Sequence, residues 1–151
     1  MTVEFEFKKS PAYRVAYIAW TGPWNEQKIR SQFARVEKWA KDHGYSTGRW
    51  VFREPGERKW ETGIEVRGAQ VHSHPPIRLK SLPATRVARA VFDPDVVAPN
   101  VIYHGLNDWL RWRKKEGKIR SVVSTREVYT ADPWKDKTAC ARTEVQFVVR
   151  P

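Results

Sequence analysis

The sequence predicts an α+β fold in which two pseudo-symmetric βαββ repeats form one antiparallel sheet with two helices on one face. Three observations carry that prediction. Pro11-Ala12-Tyr13-Arg14-Val15-Ala16 recurs as Pro83-Ala84-Thr85-Arg86-Val87-Ala88. Trp39, followed five positions later by Gly44, recurs at almost the same offset as Trp112 followed by Gly117. Glu61-Thr62-Gly63-Ile64-Glu65-Val66 aligns over Glu144-Val145-Gln146-Phe147-Val148-Val149 at a longer offset, so the later loops differ in length. Three matches in one order mark an internal duplication. Repeat 1 spans about 1–68, a linker about 69–76 and repeat 2 about 77–151. Together they make a single domain over 1–151, a length that suits one core.

Val3 to Lys8 alternates apolar and charged residues, and Tyr13 to Trp20 is β-branched and aromatic, so both read as strands. Gly22-Pro23 ends the second. From about Asn25 to His43, Ile29, Phe33, Val36 and Trp39-Ala40 recur at helical spacing on one face. Asn25 is placed to cap this helix, and Gly44 stands where a C-terminal glycine belongs. Strands follow at about 49–53 and 60–67, turned by Pro55-Gly56. In repeat 2 the strands fall at about 77–80 and 85–92. Its helix covers about 100–116, with Val101, Leu106, Trp109, Leu110 and Trp112 on or near the apolar face. The closing strands lie at about 125–130 and 140–149. Ala69 to Pro76 holds His72 and His74 and reads as a surface linker, since two histidines lack the further ligands a metal needs. Both helices on one face of a single sheet leave the other face for a ligand. The junction of the copies is where a pocket is expected.

Composition narrows the class. Hydrophobic residues are 40% and aromatics 13%, with eight Trp, too apolar for a disordered chain. No apolar run approaches the ~18 residues of a membrane span, and the first residues lack a secretory pattern, so a cytoplasmic protein without membrane contact is expected. Cys140 is the one cysteine, which excludes an internal disulfide; it reads as a packing residue on a strand. No phosphate loop, haem signature or Ser–His–Asp order is present, and no cofactor is expected. The net charge of +11 suits an acidic partner, nucleic acid above all, or else a solvated basic surface. The densest basic cluster is Arg111, Arg113, Lys114 and Lys115.

Arg14-Val15-Ala16-Tyr17-Ile18-Ala19-Trp20-Thr21-Gly22-Pro23-Trp24, the helix ending in Trp39 and Gly44, Glu127-Val128-Tyr129-Thr130-Ala131-Asp132-Pro133 and Thr143 to Val149 stand in an order that resembles the GyrI-like small-molecule-binding domain, also called the AraC-type effector-binding domain. The resemblance covers nearly the whole chain. Phe92-Asp93-Pro94-Asp95 departs from it where another Gly-Pro-aromatic turn would stand. With no helix-turn-helix region on either side, a stand-alone form is expected.

The resemblance implies a cleft between the copies with an acid among aromatic rings. It carries the acid onto Glu144, with Glu61 as its counterpart in repeat 1 and Glu65 if the register slips. Tyr17, Trp20, Trp24 and Tyr129 are the implied aromatics. Trp39 and Trp112 read as core by their helical spacing, or as the floor of the cleft. A carboxylate in such a cleft would attract an apolar or cationic organic ligand of the multidrug type, helped by ring faces. Strand carboxylates also commonly pair with a neighbouring arginine. The first function implied is small-molecule binding. The alternative is a hydrolase of strained electrophiles of the cyclopropanoid type, with Glu144 as catalytic acid or base. A second alternative is an inhibitory protein contacting DNA or gyrase.

Overall fold

The computed structural model describes residues 3–68 and 75–151; His72 and His74 of the expected linker lie outside the described residues. Glu6–Ser10 forms β1, Tyr13–Thr21 β2, Glu26–Asp42 α1, Ser46–Gly56 β3, Lys59–Arg67 β4 and Ile77–Leu82 β5. Thr85–Phe92 forms β6, Pro99–Lys115 α2, Ser121–Tyr129 β7, Lys137–Ala141 α3 and Thr143–Arg150 β8. The eight strands make one antiparallel sheet in the order β1-β6-β8-β7-β3-β4-β2-β5.

That order exchanges the first strands of the two repeats. β1 pairs with β6 of repeat 2, and β5 pairs with β2 of repeat 1. The duplicated Pro-Ala dipeptides make the exchange: Pro11-Ala12 joins β1 to β2, and Pro83-Ala84 joins β5 to β6. Three residue steps reach at most about 11 Å. Six strand spacings in a flat sheet would require about 29 Å. The sheet must therefore curl until its two ends come within that reach. This fills the middle of the face away from α1 and α2, the face expected to hold a ligand, and leaves an open pocket of about 290 Å³ at its β1–β6 end, lined by Glu4, Glu6, Arg89 and Val91. Val15, Val51 and Val87 are buried there without a covering helix. Arg126 donates to Gln146 Oε1 at 2.5 Å and to Ser10 Oγ at 3.0 Å, tying β7 to β1 across the curl. The space among Val15, Tyr17, Val51 and Glu61 has no room for a water.

On the helix face each half has its own core. Ile29, Phe33, Val36 and Ala40 of α1 pack on Ala16, Ile18, Trp50 and Ile64. The Asn25 side chain accepts from Lys28 N at 3.0 Å and caps the helix, as the sequence predicted. Gly44 and Gly117 follow the helices with φ of +78° and +75°, a conformation that favours glycine. In α2 the buried stripe is Ile102, Leu106 and Leu110, spaced by four. Val101 and Trp112, expected on or near that stripe, sit about a quarter turn away and are 57% and 65% exposed. Phe5 rests against Gly105, where a Cβ would come within 2.7 Å of the ring. Cys140 lies on α3 rather than on a strand. Asp136 caps that helix by accepting from Thr138 N and Ala139 N, and β8 starts only at Thr143. Among the described residues no helix is long and apolar enough to cross a membrane.

Candidate functional site

The repeats meet at the β3–β7 pairing. Arg53 stands opposite Arg126, and the pseudo-two-fold axis passes through that pair: Phe52 opposite Glu127 on one side matches Thr125 opposite Glu54 on the other. Side chains alternate across a strand, so Arg53 and Arg126 face the curled side while Phe52, Glu54, Thr125 and Glu127 face the helices. Between α1 and α2, over this seam, lies an open cavity of about 220 Å³. Its lining includes Trp24, Phe52, Glu54, Trp60, Tyr103 and Glu127.

Repeat 1 supplies an aromatic wall. The Phe52 and Trp60 rings stack at 5.4 Å, and Trp20 stands 5.8 Å from Trp60. Trp20 Nε1 donates to Thr62 Oγ1 at 3.1 Å, and Thr62 donates to the buried Gln32 at 2.9 Å, so the wall is fixed from behind. Trp60 Nε1 donates to the Gly22 carbonyl at 2.9 Å, which anchors the turn that projects Trp24 over the mouth.

Repeat 2 supplies a phenol-bound carboxylate. Tyr103 of α2 donates to Glu127 Oε1 at 2.6 Å, and Tyr129, two positions along the same face of β7, donates to Glu127 Oε2. Burial raises the Tyr103 phenol far above its ordinary value, and the Glu127 charge and hydrogen bond add to the rise. The same causes in the same order lift Tyr129. Both phenols are therefore held toward the protonated, donating form. Across the seam the Glu54 carboxyl is also pushed up, by burial first and then by Glu57. Among the described residues neither Glu54 nor Glu127 forms an ion pair.

The expected site residues divide. Trp24 lines the cavity, Trp20 backs its aromatic wall and Tyr129 holds its acid. Trp39 packs at the far end of α1, stacked 4.5 Å from His43 and 5.7 Å from Tyr45. Trp112 points to solvent. Glu144, Glu61, Glu65 and Tyr17 all face the curled side. Glu144 accepts from Arg89 at 3.0 Å and from Gln146. Glu61 is bound by Arg53 and by Lys80 at 2.6 Å. Glu65 accepts from Arg49 at 3.0 Å, and Tyr17 lies under Lys80 at 4.4 Å. These carboxylates follow the pairing of strand acids with neighbouring arginines. Glu127, Tyr103, Glu54 and Trp60 were not singled out by the sequence reading. The signal for the first was Glu127 and Tyr129 sharing one strand face within a quoted motif. For the second acid it was a shared offset: Glu54 stands to Glu127 as Trp39 stands to Trp112.

A cleft at the junction of two βαββ modules, with rings on one wall and an unpaired carboxylate on the other, defines a small-molecule-binding domain. The chain belongs to the GyrI-like small molecule binding domain family, whose model matches residues 3–150. No curated protein matches it. Among solved structures it is similar to the EcmrR C-terminal domain, at TM-score 0.74 and 18% identity over 99% of each chain. A hydrolase from Listeria innocua aligns at TM-score 0.59 and 14% identity, over 97% of this chain and 91% of that one. SAV2435 bound to tetraphenylphosphonium aligns at TM-score 0.54 and 12% identity, over 97% of this chain and 94% of that one. At these identities the likeness is one of fold.

Proposed function

We propose that the chain binds a small organic cation carrying one aromatic ring, with Glu127 as its counter-charge. The observation that carries this reading is the unpaired state of Glu54 and Glu127. The sequence has 28 Lys and Arg against 17 Asp and Glu, so basic partners are abundant. Among the described residues two carboxylates at one seam still lack one, beside stacked rings whose faces favour a cation. A volume of about 220 Å³ fits a single-ring ligand rather than a drug-sized one. One neighbour of the same fold is bound to tetraphenylphosphonium, a cation.

Binding is favoured over hydrolysis by the phenols. Each oxygen of the Glu127 carboxylate already accepts a phenol hydroxyl, which fixes it in place as a counter-charge and occupies the oxygens that would have to take a proton from an attacking water. Benzyltrimethylammonium is a suitable probe. Titration should quench Trp fluorescence through Trp24 and Trp60, and mass spectrometry should recover the probe unchanged. For the hydrolytic reading, strained electrophiles incubated with the protein should also come back intact. An electrophile recovered with one added water would replace the binding reading with hydrolysis.

A further inference from the structure

We propose that the C-terminal end of α2 and the β1 edge form one surface that binds single-stranded nucleic acid. Residues 111–120 hold six basic residues and one acidic residue. The fold joins this run to cations from distant parts of the chain. Arg86 reaches the Lys118 carbonyl at 3.5 Å, Arg120 N donates to the Arg150 carbonyl at 2.9 Å, and Lys9 stands directly opposite Arg86 across the β1–β6 pair. Like charges placed opposite one another on a sheet repel. Asp108 pairs with Arg111, and Glu116 with Arg113 and Lys118. Among the described residues Lys9, Arg86, Lys115, Arg120 and Arg150 form no ion pair. An anionic occupant would relieve that repulsion. Lysines on an edge strand also deter sheet-to-sheet pairing, which accounts for Lys8 and Lys9 but not for the cations on and after α2.

Aromatic rings alternate with these cations. Lys115 lies 5.2 Å from the Trp112 ring, Arg113 4.9 Å from Trp109 and Arg86 4.1 Å from Phe7, while Trp109 and Phe7 are 4.8 Å apart. Trp112, one turn beyond Trp109 on α2, has its ring open to solvent. A groove of about 500 Å³ runs beside them, lined by Phe7, Lys8, Lys9, Thr85 and Arg86. Rings that stack bases, interleaved with cations that track phosphates, are what sequence-independent binding of single strands requires. A duplex offers Trp112 no free base face. This surface lies on elements other than the cleft walls, apart from the shared helix α2, and its contacts are independent of Glu127.

The test is fluorescence anisotropy of a labelled oligothymidylate and of the matching duplex, over a salt series, with the full chain. The single strand should bind more tightly, with a slope of about −0.7 per phosphate contact in log K against log salt. The paired change Lys9→Glu and Lys115→Glu should lower affinity at least tenfold and flatten the slope. Trp112→Ala should lower affinity at least fivefold and leave the slope unchanged. Arg35→Glu, on the exposed side of α1, should change little, and unchanged melting curves would show that all variants fold. Equal affinity for duplex and single strand together with an inert Trp112→Ala would overturn the proposal. So would an equal loss in Arg35→Glu, or binding to phosphatidylserine vesicles without binding to the oligonucleotide.

Discussion

Replacing Glu127 with Gln removes one charge and keeps the side-chain volume, so it tests the counter-charge directly. In the cleft the quaternary nitrogen of benzyltrimethylammonium can approach the carboxylate to about 5 Å. At an effective dielectric constant of about 20, suited to a half-buried site, that pair is worth about 3 kcal/mol, or roughly a hundredfold in affinity. Solvent at the open mouth screens part of this, so the expected loss is about ten- to a hundredfold. Neopentylbenzene is the uncharged carbon isostere of the same probe and serves as the control. Titrated by Trp fluorescence, Glu127→Gln should lose the cation and hold the hydrocarbon as before. An equal loss of both ligands would mean that shape at the cleft floor, rather than charge, had been altered. Unchanged cation affinity would remove Glu127 from the site.

Two further predictions concern carboxyls whose titration the fold shifts. Glu54 has its folded value raised, so its contribution to stability is fully present below the unfolded carboxyl value of about 4.3 and is lost as pH rises through the folded one. Glu54→Gln should therefore melt above the wild type at pH 7, and the gap should close as pH falls toward 4; a gap independent of pH would refute the burial argument. Glu65 is the opposite case. Burial pushes its carboxyl up, but hydrogen bonds from the Arg49 side chain and backbone outweigh that and hold it below the ordinary range. Its stabilisation is present above about pH 4.3 and lost as pH falls through the folded value. Arg49→Ala should cost about 2 kcal/mol in denaturant melts at pH 7 and progressively less in acid, and a cost that grows in acid would contradict the assignment.

The duplication was legible because its parts are local. The Pro-Ala dipeptides, the stripe from Ile29 to Ala40 and the glycine after each helix are fixed by residues close in sequence. What the Pro-Ala dipeptides do was not legible, because strand exchange pairs β1 with β6 of the other repeat, and nothing near Pro11 records its partner. The curl follows from that exchange and decides which sheet face is filled at its middle. The choice of acid followed the same logic one step further. Glu61 and Glu144 align well in sequence, but Val145 and Phe147 turn toward α2, and strict alternation then sends Glu144 and Gln146 into the curled face. On β7, Val128 takes the curled face and Glu127 and Tyr129 take the cleft. A sequence alignment of the copies finds equivalent strands, whereas side-chain parity set by the opposing strand decides which of two carboxylates faces the cleft and which meets an arginine.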